Sequence, residues 1–181
     1  MKKITPLEKR WILYDVGNSA FVLLVSSILP IYFKNIAESA GVSAANSTAY
    51  WSYATSICTV ILMVLGPIFG TLADTSGFKK PIFTMFMMLG VLGCAALGLP
   101  LHWLLFLAVF VIAKTGFSGS LIFYDSMLPD ITTDDRVDSI SSHGYAWGYI
   151  GSCIPFIGCL VMILTAEQTG IGTMTATMLS L

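Results

Sequence analysis

The stretch WILYDVGNSAFVLLVSSILPIYF, Trp11 to Phe33, is an apolar run of about 23 residues interrupted only by Asp15, Asn18 and a few serines. As a helix it is about 34 Å long at 1.5 Å per residue, enough to cross a hydrocarbon core of about 30 Å. The basic segment before it, M-K-K-I-T-P-L-E-K-R, has the charge of a signal peptide's start. A signal peptide's apolar region, however, is only about 7 to 15 residues long. This longer run, with Asp15 and Asn18 inside it, reads as a retained membrane span.

The composition of the whole chain agrees. Of its 181 residues 56% are apolar and 10% charged, and the mean hydropathy is +0.83. Ordinary soluble domains carry roughly 25% charge, because Lys, Arg, Asp and Glu cover a water-facing surface. A soluble enzyme and a disordered tail are excluded. A net charge of −1 offers no basic field for nucleic acid. An all-α integral membrane protein remains, with the lipid bilayer as its first partner.

Further spans follow at about residues 50–73, 82–99, 102–124 and 142–164, separated by polar connections. The small polar loop from Lys34 to about Ala49 comes first. A-D-T-S-G-F-K-K-P then makes a turn, with Gly77 suited to positive φ and Pro81 to a helix start. G-L-P-L-H makes a tight hairpin. The longest polar stretch, D-S-M-L-P-D-I-T-T-D-D-R-V-D-S, precedes the fifth span. Residues 171–181 are apolar enough to begin a sixth, but reach only about 16 Å. The reading is one N-terminal bundle over residues 1–181, five full spans and a partial sixth, cut off inside a helix.

Lys and Arg in short loops set the orientation. With the N-terminus in the cytoplasm, the inner segments hold Lys2, Lys3, Lys9, Arg10, Lys79, Lys80 and Arg136, and the outer ones Lys34 alone. The N-terminus is expected inside. Cys58, Cys94, Cys153 and Cys159 all lie in apolar runs without metal-type spacing, and His102 and His143 stand apart. Four buried, inert thiols are expected, with no metal and no cofactor.

Polar residues inside spans are expensive and mark pathways. At 100° per residue Asp15, Ser19 and Ser26 lie within about 40° on the first span, with Asn18 about 60° to the side. Lys114, Ser118 and Asp125 share a similar arc on the fourth. Lys114 is near the midplane, where an unpaired lysine costs roughly 2.5 to 3.5 kcal/mol and snorkelling reaches only part of the way. Asp15, Asn18, Lys114, Ser118 and Asp125 are therefore expected to face a substrate pathway; wetting of the two aspartates at the membrane surface is the plainer alternative. In the fifth span Gly144, Gly148 and Gly151, with Gly158, are spaced for close helix packing, and Pro155 is a candidate kink.

Three stretches carry a family resemblance. Gly70-Thr71-Leu72-Ala73-Asp74-Thr75-Ser76-Gly77-Phe78-Lys79-Lys80 resembles the G-x-L-A-D-x-x-G-x-K signature of the major facilitator superfamily. An ordinary positive-inside hairpin explains the lysines and the glycine but not the whole order. Gly70 is expected to let another helix approach, Asp74 to end a helix with a charge at the membrane surface, and Lys79 to anchor the loop. Thr75 and Phe78 stand where the family often has arginines. Trp11 to Phe21, Phe123 to Ile131 and Ser142 to Gly151 look like the branch related to the vacuolar effluxer of autophagy, though Tyr124-Asp125 replaces its usual Tyr-Asn.

The resemblance implies the first half of a fold of about twelve spans, alternating-access transport of a small solute, and a second half-bundle as partner. It implies amino-acid export from its eukaryotic members, and a loop at Gly70, Asp74, Gly77 and Lys79 that latches the bundles. The membrane would be the cell membrane of a bacterium or the vacuolar membrane of a fungus. No G-x-x-x-x-G-K-[ST] loop occurs, so an ion gradient or the substrate itself would supply the energy. Two other classes stand beside the transporter. One is a non-transporting membrane scaffold. The other is an intramembrane aspartyl protease, which Tyr14-Asp15 and Tyr124-Asp125 suggest but for which the partner Gly-x-Gly-Asp is missing.

Overall fold

A computed structural model describes residues 4–75, 77–166 and 168–179. Lys2 and Lys3 of the charge count, Ser76 of the turn motif and the last two residues of the partial span lie outside the described residues. Five helices are long and apolar enough to cross a membrane. Pro6–Ser39 is the first, made of α1 (Pro6–Leu23), a π turn (Leu24–Ile28) and α2 (Leu29–Ser39). The others are α3 (Ala44–Ala73), α4 (Lys79–Leu97), α5 (Trp103–Ser126) and α7 (Val137–Leu164), the last led in by a 3-10 turn at Asp134–Arg136. A short α6 (Leu128–Ile131) lies between α5 and that turn, and α8 (Thr173–Leu179) follows α7. The protein is an all-α, multi-pass membrane protein.

Most helices outrun the apolar runs, though α4 stops at Leu97, short of the expected end at residue 99, because Gly98 caps it, and α5 starts at Trp103 after its cap His102. Residues 34–39 extend α2 and residues 44–49 open α3, so the expected polar loop shrinks to residues 40–43. Likewise α7 begins at Val137, ahead of the apolar residues that mark its span. Hydropathy reports where lipid begins, whereas backbone hydrogen bonding carries a helix on into water. Local chemistry fixes the true ends. Thr5 and Glu8 form a reciprocal capping box around Pro6, and Ser43 caps α3. The π turn comes just before Pro30, which has no N–H to donate to the Ser26 carbonyl; the amide of Leu29 bonds instead five residues back to Leu24.

Two pairings build the bundle. α4 lies against α5 through backbone-close contacts: a Cβ on Gly116 would stand 2.5 Å from the Gly90 nitrogen, and one on Gly93 2.7 Å from the Ala113 Cβ. α1 lies against α7 at Gly144, Gly148 and Gly151. An aromatic core of Tyr32, Phe33, Phe106 and Phe110 closes the end formed by α2, the start of α5 and the α4–α5 hairpin. At the opposite end Trp11, Tyr124, Leu128 and Ile140 join α1, α5, α6 and α7.

This second end also gathers basic residues. Lys79, at the start of α4, pairs with Asp130 of α6 at 2.6 Å and donates to the Ser126 carbonyl. Arg136 pairs with Glu8 at 3.0 Å. Turns expected on one side of the membrane thus meet in space. The cysteines correct their expectation: Cys58 is buried, Cys94 and Cys159 are half-buried, and Cys153 is exposed. An apolar side chain in a membrane bundle can face lipid as readily as core, so an apolar run alone does not bury a thiol.

Candidate functional site

A cleft of about 480 Å³ opens between α1, α5 and α7. Its polar lining comprises Asp15, Asn18 and Ser19 from α1, Asp125 and Tyr124 from α5, and Ser141, Tyr145, Tyr149 and Ser152 from α7. The Asn18 side chain stands beside the Asp15 carboxylate, and the carboxylates of Asp15 and Asp125 lie within electrostatic reach of each other. The Asn18 Oδ1 is buried with no hydrogen-bond partner among the described residues. Asp15 and Asn18 are half-buried and Asp125 is exposed. The arrangement offers acceptors and negative charge inside an apolar bundle, suited to a proton, a cation or an amino group. Among the described residues no three His, Cys, Asp or Glu side chains converge on a metal position.

Beside the cleft, glycines of α7 let α1 lie close against it. A Cβ on Gly144 would meet the Trp11 ring at 2.7 Å, and one on Gly148 would meet the Ser19 hydroxyl at 2.8 Å and the Asp15 carboxylate at 3.1 Å. One on Gly151 would strike Val16. Gly158, by contrast, has nothing near it, and Pro155 lies within α7 without ending it.

Across the cleft α1 and α5 are joined reciprocally. The Trp11 indole N–H donates to the Tyr124 carbonyl at 3.2 Å, and the Tyr124 hydroxyl donates to the Trp11 carbonyl at 3.0 Å. The two rings stack with centroids 4.4 Å apart, and the Tyr14 hydroxyl hydrogen-bonds Ser120 at 2.7 Å.

The structure does not bring Lys114 and Ser118 into this cleft. Both share the Asp125 face of α5, but Lys114 stands eleven residues earlier, about 16 Å along the axis. It is half-buried, lies within electrostatic reach of Cys58 on α3, and forms no ion pair among the described residues. An arc on a helical wheel fixes direction but not depth. Ser26 is likewise outside the cleft, its hydroxyl bonded to the Val22 carbonyl beside the π turn.

At the basic end, Gly77 takes φ 88°, as a tight turn between α3 and α4 requires. Asp74 caps α3 and shares a pocket of about 470 Å³ with Gly77, Lys79 and Asp130. No described part of the chain approaches Gly70: nothing lies within 4 Å of where its Cβ would be. The end of α3 carries a free face here, so the expected close approach is not made within this bundle. Glu8, Arg136, Tyr124 and Asp130 make these contacts without being among the expected site residues; the pattern Thr5-Pro6-x-Glu8 of a capping box is a legible signal for the first.

Comparison with known proteins places this architecture. The family described as "Vacuole effluxer Atg22 like" matches residues 7–181. The chain belongs to that family. Among curated relatives of this Atg22-like chain is the "Uncharacterized MFS-type transporter YxiO" of Bacillus subtilis (strain 168), 45% identical over 170 residues. The match covers 92% of this chain and 40% of that relative, so the Atg22-like chain spans well under half of the relative's length. No solved structure matches it.

Proposed function

We propose that the chain is the first half-bundle of a secondary transporter that moves a small solute by alternating access, its second half-bundle supplied by further chain or partner. The observation that carries this reading is the cleft between α1, α5 and α7, where two carboxylates and a buried, unpartnered amide oxygen gather inside an apolar bundle. Polar groups at such a depth persist where they serve a pathway. Family membership and the MFS-type relative support transport over catalysis and over a passive scaffold. The basic end is the cytoplasmic end, in keeping with seven Lys and Arg against one. The turn at Gly70, Asp74, Gly77 and Lys79 serves the conformational cycle from that side.

The solute carries an amino group, and an amino acid fits the family. Asp15 and Asp125 hold the amino group or exchange the coupling proton. Lys114, about 16 Å deeper along α5, holds the carboxylate at a separate station, because a small zwitterion cannot touch both at once. The test is flux into vesicles that hold this chain together with the second half-bundle the reading requires. Asp15→Asn is expected to abolish coupled uptake or flatten its pH dependence. Lys114→Met keeps the side-chain length, removes the charge and is expected to insert at least as well as the parent while losing transport. Parental rates for both variants would remove the cleft from the pathway.

A further inference from the structure

The cleft between α1, α5 and α7 has a wall that its carboxylates do not account for. Along α7 the lining residues are Ser141, Tyr145, Tyr149 and Ser152. At 100° per residue these four share an arc of about 80°. Gly144, Gly148 and Gly151, which pack on α1, form the neighbouring stripe. Trp147 belongs to the opposite face of α7 and is exposed, as aromatic rings that meet the membrane surface are. The two tyrosines line the cleft instead, one helical turn and about 6 Å apart. They are 65% and 70% exposed, so packing inside this bundle does not explain their size.

Two more rings extend the wall. Trp11 and Tyr124, stacked 4.4 Å apart, line the same cleft, and Tyr145 lies within electrostatic reach of Tyr124. Against these rings stand the carboxylates of Asp15 and Asp125. Among the described residues no Lys or Arg lines the cleft to offset them. Cations of the basic end are engaged elsewhere. Arg136 holds Glu8, which is buried at 1% exposure and also accepts from Thr132, and Lys79 holds Asp130.

This lining disfavours the simpler occupants. A hard metal ion asks for roughly six oxygen ligands at short range, and much of the lining is aromatic carbon. A proton needs a carboxylate but no aromatic wall. An anion gains from the rings but is opposed by both carboxylates. A cation with carbon beside its nitrogen uses the whole lining. The carboxylates take its N–H groups, and the negative ring faces take the polarised C–H groups next to them. A cleft of about 480 Å³ admits a solute of several carbon atoms.

We propose that Tyr145 and Tyr149 are specificity-determining residues of the cleft, their ring faces selecting an alkylammonium group over inorganic cations. This rests on the reading of the cleft as the solute pathway, and names the wall that holds the carbon side of the amino group.

The experiment uses the full chain together with the second half-bundle, purified in detergent. The probe is propylammonium chloride, with sodium chloride at equal concentration as reference. Binding is measured as the rise of the thermal unfolding midpoint with concentration. Propylammonium is expected to raise the midpoint where sodium leaves it unmoved. Tyr145→Phe and Tyr149→Phe keep the ring and are expected to bind within about twofold of the parent. Tyr145→Leu and Tyr149→Leu remove the ring and are expected to weaken binding about fivefold each. Both positions are exposed, so neither change opens a cavity; should one leucine variant fail to insert, the other decides. No rise with propylammonium, an equal rise with sodium, parental affinity in the leucine variants, or equal losses in the Phe and Leu variants would each overturn the proposal. The two readings fail separately. Parental transport in Asp15→Asn, with weakened binding in the leucine variants, removes the pathway and keeps the aromatic wall. Lost transport in Asp15→Asn, with parental binding in the leucine variants, does the reverse.

Discussion

Glycine residues that look alike in the sequence differ sharply in the structure, and substitution separates them. At Gly116 an added Cβ would stand 2.5 Å from the Gly90 nitrogen and 2.9 Å from the Leu89 carbonyl carbon and the Phe86 oxygen. All three are backbone atoms of α4 and have no rotamer by which to retreat. Gly116→Ala must therefore push α4 and α5 apart along their main contact, at a cost of about 1 to 3 kcal/mol or more. At Gly70 nothing lies within 4 Å of the added atom, and replacing a helical glycine by alanine gains roughly 0.5 to 1 kcal/mol. Thermal unfolding in detergent is expected to show Gly116→Ala markedly destabilised and Gly70→Ala unchanged or more stable; equal effects would contradict the packing. The motif glycine is the freer of the two, so any loss of transport in Gly70→Ala would arise from a surface outside this bundle. At the same scale the site was half legible. Asp15, Asn18 and Asp125 announce themselves as polar residues in apolar runs and do meet in one cleft. Lys114 announces itself as loudly and stands apart, because depth along a helix decides which residues on neighbouring helices can meet. Glu8 gave no sign of its burial, since a glutamate near a chain's start reads as a wetted residue until its partners are placed.

Helices were legible wherever lipid dictates composition. Each of the five apolar runs coincides with a helix long enough to cross, apart from residues 98, 99 and 102, which fall in the hairpin between α4 and α5. Helix ends were not, because beyond the lipid the polar residues of a helix and of a loop look the same. The π turn at Leu24–Ile28 was equally hidden, although Pro30 was in view. Its role is one of register. The extra residue in the turn sets the direction in which α2 presents Leu29, Tyr32 and Phe33, whose exposures are 1%, 4% and 0%. Annealing the turn into regular α-helix would rotate all three by about 100° out of the aromatic core. Proline permits the turn, but the core maintains it. Pro30→Ala is accordingly expected to keep the π turn and to change thermal stability by less than about 1 kcal/mol. A large loss of stability, or exposure of a reporter cysteine at Ile36, would show that proline alone holds the register.

At the scale of the whole molecule, two ion pairs and a capping box collect at one end of the bundle, and the other end is closed by aromatic rings. Among the described residues, Lys9, Arg10, Lys79, Lys80 and Arg136 belong to the first end and Lys34 to the second. The asymmetry bears on insertion. Moving the first set across a membrane would require desolvating several cations, whereas inverting the bundle to keep Lys34 inside would save only one. Acidic residues near Arg136 change little, since Asp and Glu weigh lightly in the positive-inside rule. The connector at Asp134 is therefore expected on the cytoplasmic side and Ser43, which caps α3 at the other end, on the outer side. With single cysteines at these positions in a cysteine-free chain, an impermeant maleimide applied to intact cells is expected to label Ser43→Cys alone. Asp134→Cys is expected to react only after the membrane is opened. The opposite pattern would invert the bundle and turn the Glu8–Arg136 and Lys79–Asp130 pairs to the outside. It would also place the mouth of the cleft nearest Asp15 and Asp125 where outside pH rather than cytoplasmic pH sets their protonation. Labelling of both positions in intact cells would show a mixed topology, which a seven-to-one bias in Lys and Arg should not allow.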